Sequence, residues 1–545
     1  MKAKKIISIA AAMAMLTAGL TACGPSKEAK NGNEEIHFSV SLNPASSEPT
    51  ENNKILKKIK EELGYTFDFE YAISGHEGER IGVMISSGDY PDLIHIGDDA
   101  LIQAGALVPL DEYISKEKTP NLYEFIEPIE KKARYTDGHI YALPNYGRPS
   151  YGENNAGDYW GPAFWIQKRV LAEAGYPEVK TLDQYFDLIN KYKEAHPETN
   201  GISTIGYEIL AAPGFEWVLT TAPNYLDGNP NDGDVVVDKE KYEAKIYANS
   251  DFAKKYFQKL NEEFAKGTID PECFTQSKDQ YTSKIASGRV LGMFDQHWVF
   301  QPGEISLTNQ KMFENTYVPL AITFDESIKP WYMVEEQINI NQGLAITTSC
   351  KNPEAAVMML EEFMSEKWQK IFQWGIEGED YLVNDEGRFY RTPEQRAEQE
   401  DQMWQADNKV ATFYDAMPKR EGKYTDGNGT SPAQQPEEFE AVLNDYDKEF
   451  LKASGKANWT DFLNDPYPNP KYFPAWNIDL VDQSDADYAR QKLTDLSVKH
   501  LPNIISAGAN FENAWKTYCD EISVLNIKAY EDRINEQIQW RLKNW

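Results

Sequence analysis

The chain has 545 residues. Its 87 aspartates and glutamates, seven histidines and four cysteines are the groups able to carry proton, metal or nucleophile chemistry. Their spacing argues against most of it. The histidines are scattered, without the close His/Cys/carboxylate spacing of a zinc site. There is no Gly-x-Ser-x-Gly elbow, no His-Glu-x-x-His helix and no phosphate-cradling glycine loop. A carboxylate pair suited to glycoside hydrolysis can always be drawn from so many acids, so abundance alone points to no catalyst. Binding chemistry is better represented. Phe, Tyr and Trp make up 12% of the chain. Most of these rings must be core, but Trp and Tyr combine a flat apolar face with a polar handle, which suits stacking on rings and on the apolar faces of sugars. The expectation is a binding protein rather than an enzyme, with no cofactor and no metal.

The formal net charge of −32 repels nucleic acid and anionic lipid headgroups, which removes both as direct ligands. Lys2, Lys4 and Lys5 precede an apolar run from Ile6 to Leu16, a secretory pattern too short for a spanning helix of ~20 residues. Leu20-Thr21-Ala22-Cys23-Gly24 closes that run and resembles the bacterial lipobox, in which the cysteine becomes the lipidated N-terminus. The resemblance implies a signal peptide at 1–22, a lipid anchor on Cys23, and a protein held at the extracytoplasmic face of the cell membrane. Residues 23–34 then read as a polar, turn-rich tether. Cys273, Cys350 and Cys519 remain, an odd number without paired spacing, so at most one disulfide is expected.

The elements follow from periodicity. Ile36, Phe38, Val40 and Leu42 alternate as a strand, and Ile55, Leu56, Ile59 and Leu63 form one helix face stopped by Gly64. Residues 66–71 form a second strand, completing a βαβ unit. A helix near 81–86, a Gly88-Asp89-Tyr90-Pro91 break and an apolar 93–96 run repeat the pattern, which predicts an α/β domain with a largely parallel sheet. Residues 145–165, rich in Gly, Asn and aromatics and without periodicity, read as a hinge and cleft rim containing Tyr159, Trp160 and Trp165. One long helix is predicted over 353–374, capped by Asn352, started by Pro353 and stopped by Gly375. Residues 384–440 read as surface insertions with some helix. The aromatic–proline stretch 467–476 is read as either lining a cleft or wrapping a lobe. The tail returns to helix, with Trp515, Tyr518, Ile522 and Leu525 on one face and Tyr530, Ile534, Ile538 and Leu542 on the next.

Several stretches resemble one family. Ser87-Gly88-Asp89-Tyr90-Pro91-Asp92-Leu93, Leu107-Val108-Pro109-Leu110-Asp111 and 137–144 (Asp-Gly-His-Ile-Tyr-Ala-Leu-Pro) are similar, in order, to landmarks of extracellular solute-binding proteins of ABC importers. Residues 165–177 and 181–189 resemble the start of that family's second lobe. Residues 285–298 resemble its return to the cleft, and 374–381 a signature of its large oligosaccharide-binding lipoproteins, similar to the alginate-oligosaccharide-binding proteins. The resemblance implies an α/β fold of two lobes with a hinge, of type II periplasmic-binding-protein form, and a helical C-terminal part. Lobe 1 would take 35–147 and 326–400. Lobe 2 would take 148–325 and be completed by 401–545.

The same resemblance implies capture of an oligosaccharide and delivery to the transmembrane permease subunits of an ABC transporter by a monomer held to the membrane through its lipid alone. Residues after the buried strand reach the ligand in relatives, which points to Asp295, Gln296 and Trp298. Trp217 joins them as a candidate. Trp374 and Glu377 form an aromatic-plus-carboxylate loop that either contacts sugar or, through Glu377, caps a neighbouring helix. Some relatives carry a calcium loop where this chain has 196–204, with too few carboxylates for one. The richer 227–234 loop has Asp232 where an EF-hand needs glycine and no Glu at the twelfth position, so it reads as a turn.

Overall fold

The computed structural model describes residues 35–545 except 46, 75, 98, 146–158, 213, 336–341 and 482. The Cys23 anchor and most of the 145–165 rim lie outside the described residues.

The alternating residues at the start make β1 (Ile36–Leu42), which pairs in parallel with β2 (Tyr65–Tyr71). Between them runs the helix Lys54–Leu63. The Asn53 side chain caps its N-terminus by accepting from the Leu56 N–H, and Gly64 at φ 78° ends it in a left-handed conformation that only glycine adopts cheaply. The helix Glu77–Ser87 follows, and then β3 (Leu93–Ile96), parallel to β1 on its other side.

The remaining strands of this lobe are β4 (Ala142–Pro144) and β9 (Gly343–Ile346), and the sheet order is β2-β1-β3-β9-β4. The expected largely parallel sheet is therefore mixed, because β9 runs antiparallel to both β3 and β4. The reason is topological. β3 and β4 end at one edge of the sheet, and the chain leaves the lobe just after β4. A strand that begins where the chain returns to that edge must run the other way. Gly343 stands opposite both Ile96 and Pro144, which marks the crossing edge in register.

Lobe 2 repeats this logic with β5 (Pro162–Gln167), β6 (Ile205–Glu208), β7 (Val290–Gln296) and β8 (Tyr317–Leu320), in the order β8-β5-β7-β6. β5 begins at the crossing edge and is antiparallel to β7 and β8, which end there. Its main helix, Leu182–Ala195, starts on the predicted Thr181 cap with a reciprocal Gln184 bond.

Each lobe has its own apolar core. Phe38, Val40, Leu93, Leu344, Phe363 and Trp368 build the first, and Phe164, Tyr185, Tyr207, Leu260, Phe294 and Trp515 the second. The C-terminal helices Asp485–Ile505, Phe511–Ser523 and Ile527–Asn544 bear the predicted apolar faces; the first two pack on the core of lobe 2, and Tyr530, Ile534 and Ile538 of the third pack in a separate small cluster with Val235.

Some boundaries differ from expectation. Val410, Phe413, Tyr414 and Met417 pack in the core of lobe 1, with the Phe413 ring 5.0 Å from Phe67 and 5.1 Å from Phe69, so that lobe extends past residue 400. Tyr332, placed by sequence in lobe 1, is buried in lobe 2. The 384–440 stretch contains the expected helix, and it packs as a cap held by buried Asn428, Thr430, Gln435 and Glu438. The predicted 353–374 helix is two, Pro353–Phe363 and Glu366–Gln373, because the Ser365 hydroxyl accepts from the Trp368 N–H and starts a new helix. The aromatic–proline stretch wraps lobe 2. Tyr472 and Phe473 are buried in a small cluster with Val235, Tyr530 and Ile538.

Candidate functional site

The crossing edge of lobe 2 gathers several of the aromatic and polar residues singled out by sequence. The β7 strand ends at Gln296, paired with Pro162 at the start of β5, and the helix His297–Asn309 begins immediately. This sharp strand-to-helix change turns Trp298 outward, and it is 47% exposed. The Gln296 Oε1 accepts from the Trp298 indole N–H at 2.6 Å, which fixes the ring against the strand end. Trp217, from the helix Glu216–Leu226, stacks on Trp298 with centroids 6.0 Å apart and planes 22° apart, and its own indole N–H is held by the Gly214 carbonyl. Trp160 is 41% exposed and lies over the His297 ring at 5.0 Å. Two indoles thus offer uncovered surface at this edge, each backed by another ring. That is the platform on which a flat, partly apolar ligand stacks.

Three other predicted residues support this platform rather than form it. Asp295 is fully buried. Its carboxylate accepts from the Tyr281 hydroxyl at 2.6 Å and the Gln296 backbone N–H at 2.7 Å, and burial pushes its pKa up to about 7. It faces inward because alternate residues of a strand point to opposite faces. Trp165 is buried on β5, donates to the Asp295 carbonyl at 2.8 Å and stacks on His297 at 5.2 Å. Tyr159 folds back over Gly161, and its hydroxyl reaches the carbonyls of Pro162 and Tyr332, both at 2.9 Å. It ties the start of β5 to the segment around Tyr332.

Trp374 and Glu377 are elsewhere. Trp374 is wholly buried, edge-on to Phe389 at 5.3 Å, with its indole N–H on the Gly429 carbonyl at 2.9 Å. It is a core ring of the lobe 1 cap, so contact with a solute is corrected to packing. Glu377 is exposed on the following loop. The carboxylate that organises that loop is Asp380, which accepts from the Ile376 N–H at 2.7 Å and from Lys54 at 2.6 Å. The 227–234 loop likewise holds structure. Burial pushes Asp232 up to about 7, and it takes the Tyr472 hydroxyl at 3.0 Å and the Ala475 N–H at 2.8 Å. Among the described residues no group of three or more His, Cys, Asp or Glu side chains converges to hold a metal ion, and Cys273, Cys350 and Cys519 are free thiols.

Sequence reasoning missed the facing edge of lobe 1. His95, near the end of β3, and Asn145, just beyond β4, both sit at the crossing edge and are 9% and 5% exposed. Among the described residues, neither ring nitrogen of His95 nor the Asn145 Oδ1 has a hydrogen-bond partner. The Asn145 amide donates to the Asp415 carbonyl at 2.7 Å, and Lys419 pairs with the Asp415 carboxylate at 3.2 Å. Burial, assisted by the Lys419 charge, lowers the His95 pKa to about 4, so the ring is neutral at pH 7. The sequence signal was a polar residue inside the apolar 93–96 run, which periodicity alone reads as strand interior.

The sequence and the fold have known relatives. Residues 54–374 match the family described as bacterial extracellular solute-binding protein. A carbohydrate ABC transporter substrate-binding protein of Streptococcus pneumoniae serotype 4 is 25% identical over 284 residues, covering 50% of this chain and 53% of that protein. Lipoprotein LipO of Bacillus subtilis (strain 168) is 24% identical over 193 residues, 34% of this chain and 36% of that protein. The chain therefore spans about half the length of the first of these curated relatives and about a third of the second. In fold, it superposes on the S. pneumoniae ABC-transporter substrate binding protein FusA in complex with kestose with a TM-score of 0.64 at 16% identity, over 94% of this chain and 100% of that one. With well over half its length matched, the chain belongs to the family of bacterial extracellular solute-binding proteins.

Proposed function

We propose that this protein captures an oligosaccharide between its two lobes, outside the cytoplasm, and delivers it to the permease of an ABC transporter. The observation that carries the reading is the uncovered Trp298 indole, braced by Trp217 and Gln296 at the edge where the chain crosses between lobes. A sugar ring stacks on such a surface with its apolar face and leaves its hydroxyls for polar groups of the facing lobe. Closure about the crossing segments would bring the two walls onto one ligand. The names of the S. pneumoniae relatives support carbohydrate transport, and LipO supports a lipoprotein. In this reading Cys23 carries the lipid and the chain performs no catalysis.

A thermal-shift and calorimetric screen of the full chain against oligosaccharides tests this, with each mixture then analysed for cleavage. A ligand specific to the folded form raises stability by ~2.7 kcal/mol at a hundredfold excess over its Kd. The expected result is a hit with intact sugar and an affinity that falls at least ~10-fold in Trp298→Ala. Shortened products would make the protein a hydrolase. A Trp298→Ala variant that binds like the parent would remove the site.

A further inference from the structure

The lobe 1 wall carries a polar group that the fold itself leaves unused. Buried polar atoms are almost always hydrogen-bonded, and each one left bare costs stability. Here three such atoms, both His95 ring nitrogens and Asn145 Oδ1, have no hydrogen-bond partner among the described residues and lie at the crossing edge on β3 and just past β4, the strands that flank β9 and are in register with it. A neutral imidazole offers one donor and one acceptor, and the amide oxygen offers an acceptor. Lys419, whose charge acts on the His95 ring, is already paired with Asp415. What such a recess lacks is a partner that both donates and accepts without bringing charge, which describes a hydroxyl. A carboxylate only accepts, and would face the Asn145 oxygen and the field of a chain of charge −32.

Resting on the reading that the solute binds between the lobes, we propose that His95 and Asn145 form the specificity wall of lobe 1. In this assignment they take hydroxyls of an uncharged sugar unit and exclude uronates.

The test uses the full chain and six probes: kestose, maltotriose and mannotriose, and the trimers of mannuronate, guluronate and galacturonate. Binding is followed by tryptophan fluorescence. The expected outcome is binding of at least one neutral trimer and of no uronate. His95→Leu should weaken that binding at least ~10-fold, yet raise the unfolding midpoint of the sugar-free protein, because it removes a buried group without a partner. His95→Gln, which restores a donor and an acceptor, should recover part of the affinity. Preference for a uronate overturns the proposal. So does His95→Leu binding the neutral sugar like the parent while Trp298→Ala does not, an outcome that leaves the cleft itself standing. A lowered midpoint in sugar-free His95→Leu that Gln does not rescue assigns the residue to folding and overturns it too. If no probe binds, the carbohydrate reading and this proposal fall together.

Discussion

Trp298 and Trp374 are chemically the same residue and do opposite things here. One stands half in solvent with its N–H on Gln296, and the other is enclosed with its N–H on Gly429. Truncating an enclosed ring leaves a cavity, so Trp374→Ala should cost ~3–5 kcal/mol of stability in denaturant unfolding while leaving sugar affinity within about twofold. Trp298→Ala should show the reverse. His95 has a pH signature of its own. Its pKa in the folded protein is lowered to about 4 against an ordinary value near 6.5. The unfolded chain therefore binds the proton first on acidification. The stability attached to the neutral ring is whole above the ordinary value and drains away as pH falls from about 6.5 toward 4, on the order of 3 kcal/mol. His95→Leu should flatten that part of the curve of unfolding free energy against pH.

At the scale of elements, the 384–440 cap depends on charge placed inside it. Glu438 is buried and takes bidentate contacts from Arg391 and Arg396 at 2.6–3.1 Å. Burial raises its pKa, but the two guanidiniums and the Arg391 N–H outweigh that and hold it below the usual carboxylate range. Its contribution is present above the ordinary Glu range and lost as pH falls below it. Glu438→Ala leaves two arginines without their partner and should destabilise by ~3 kcal/mol, read as earlier protease cleavage within 384–440. The beginnings or ends of several elements were readable because their caps are local. Thr181 with Gln184, Asn352, Gly64 and Gly88 act within one turn. The break at Ser365 was hidden because Ser is tolerated inside helices, and only the packing of Trp368 against Phe363 and Phe372 decides for a second start.

For the whole molecule, one contact between the lobes among the described residues is acidic. Tyr135 donates to Asp99 at 2.8 Å and reaches Asp479 at 3.4 Å, while Gln103 donates to Asp99 at 2.9 Å and reaches Asp479 at 3.4 Å. Asp99, Gln103 and Tyr135 belong to lobe 1, whereas Asp479 is held by Arg533 of the C-terminal helix, whose Nε donates to its carbonyl at 2.9 Å. Burial, followed by the closeness of Asp99, pushes Asp479 up to about 6. A raised carboxyl favours the contact while protonated. That contribution is whole below the ordinary carboxylate range and fades as pH climbs through about 6. Small-angle scattering of the sugar-free protein should show the radius of gyration growing between pH 5 and pH 7.5, and Asp479→Asn should remove the change. An unchanged radius in the parent would mean that the contact does not gate the lobes.

Alternation, helical period and caps, written within a few residues, determined the first βαβ elements, several helix ends and the α/β class, whereas the two lobes and the return to the cleft at 285–298 were implied by the family resemblance. The sequence could not say which tryptophans face solvent. Trp160, Trp165 and Trp374 sit in equally aromatic surroundings, and exposure depends on what packs against each from far along the chain, 55 residues away for Trp374 and 130 for Trp165. Gly429 closes over Trp374, and the Asp295 carbonyl holds Trp165. The direction of β5 and β9, the reach of lobe 1 past residue 400 and the bare His95–Asn145 pair were likewise decided by tertiary structure. Each follows from where the chain crosses between lobes, a long-range fact that no local pattern encodes.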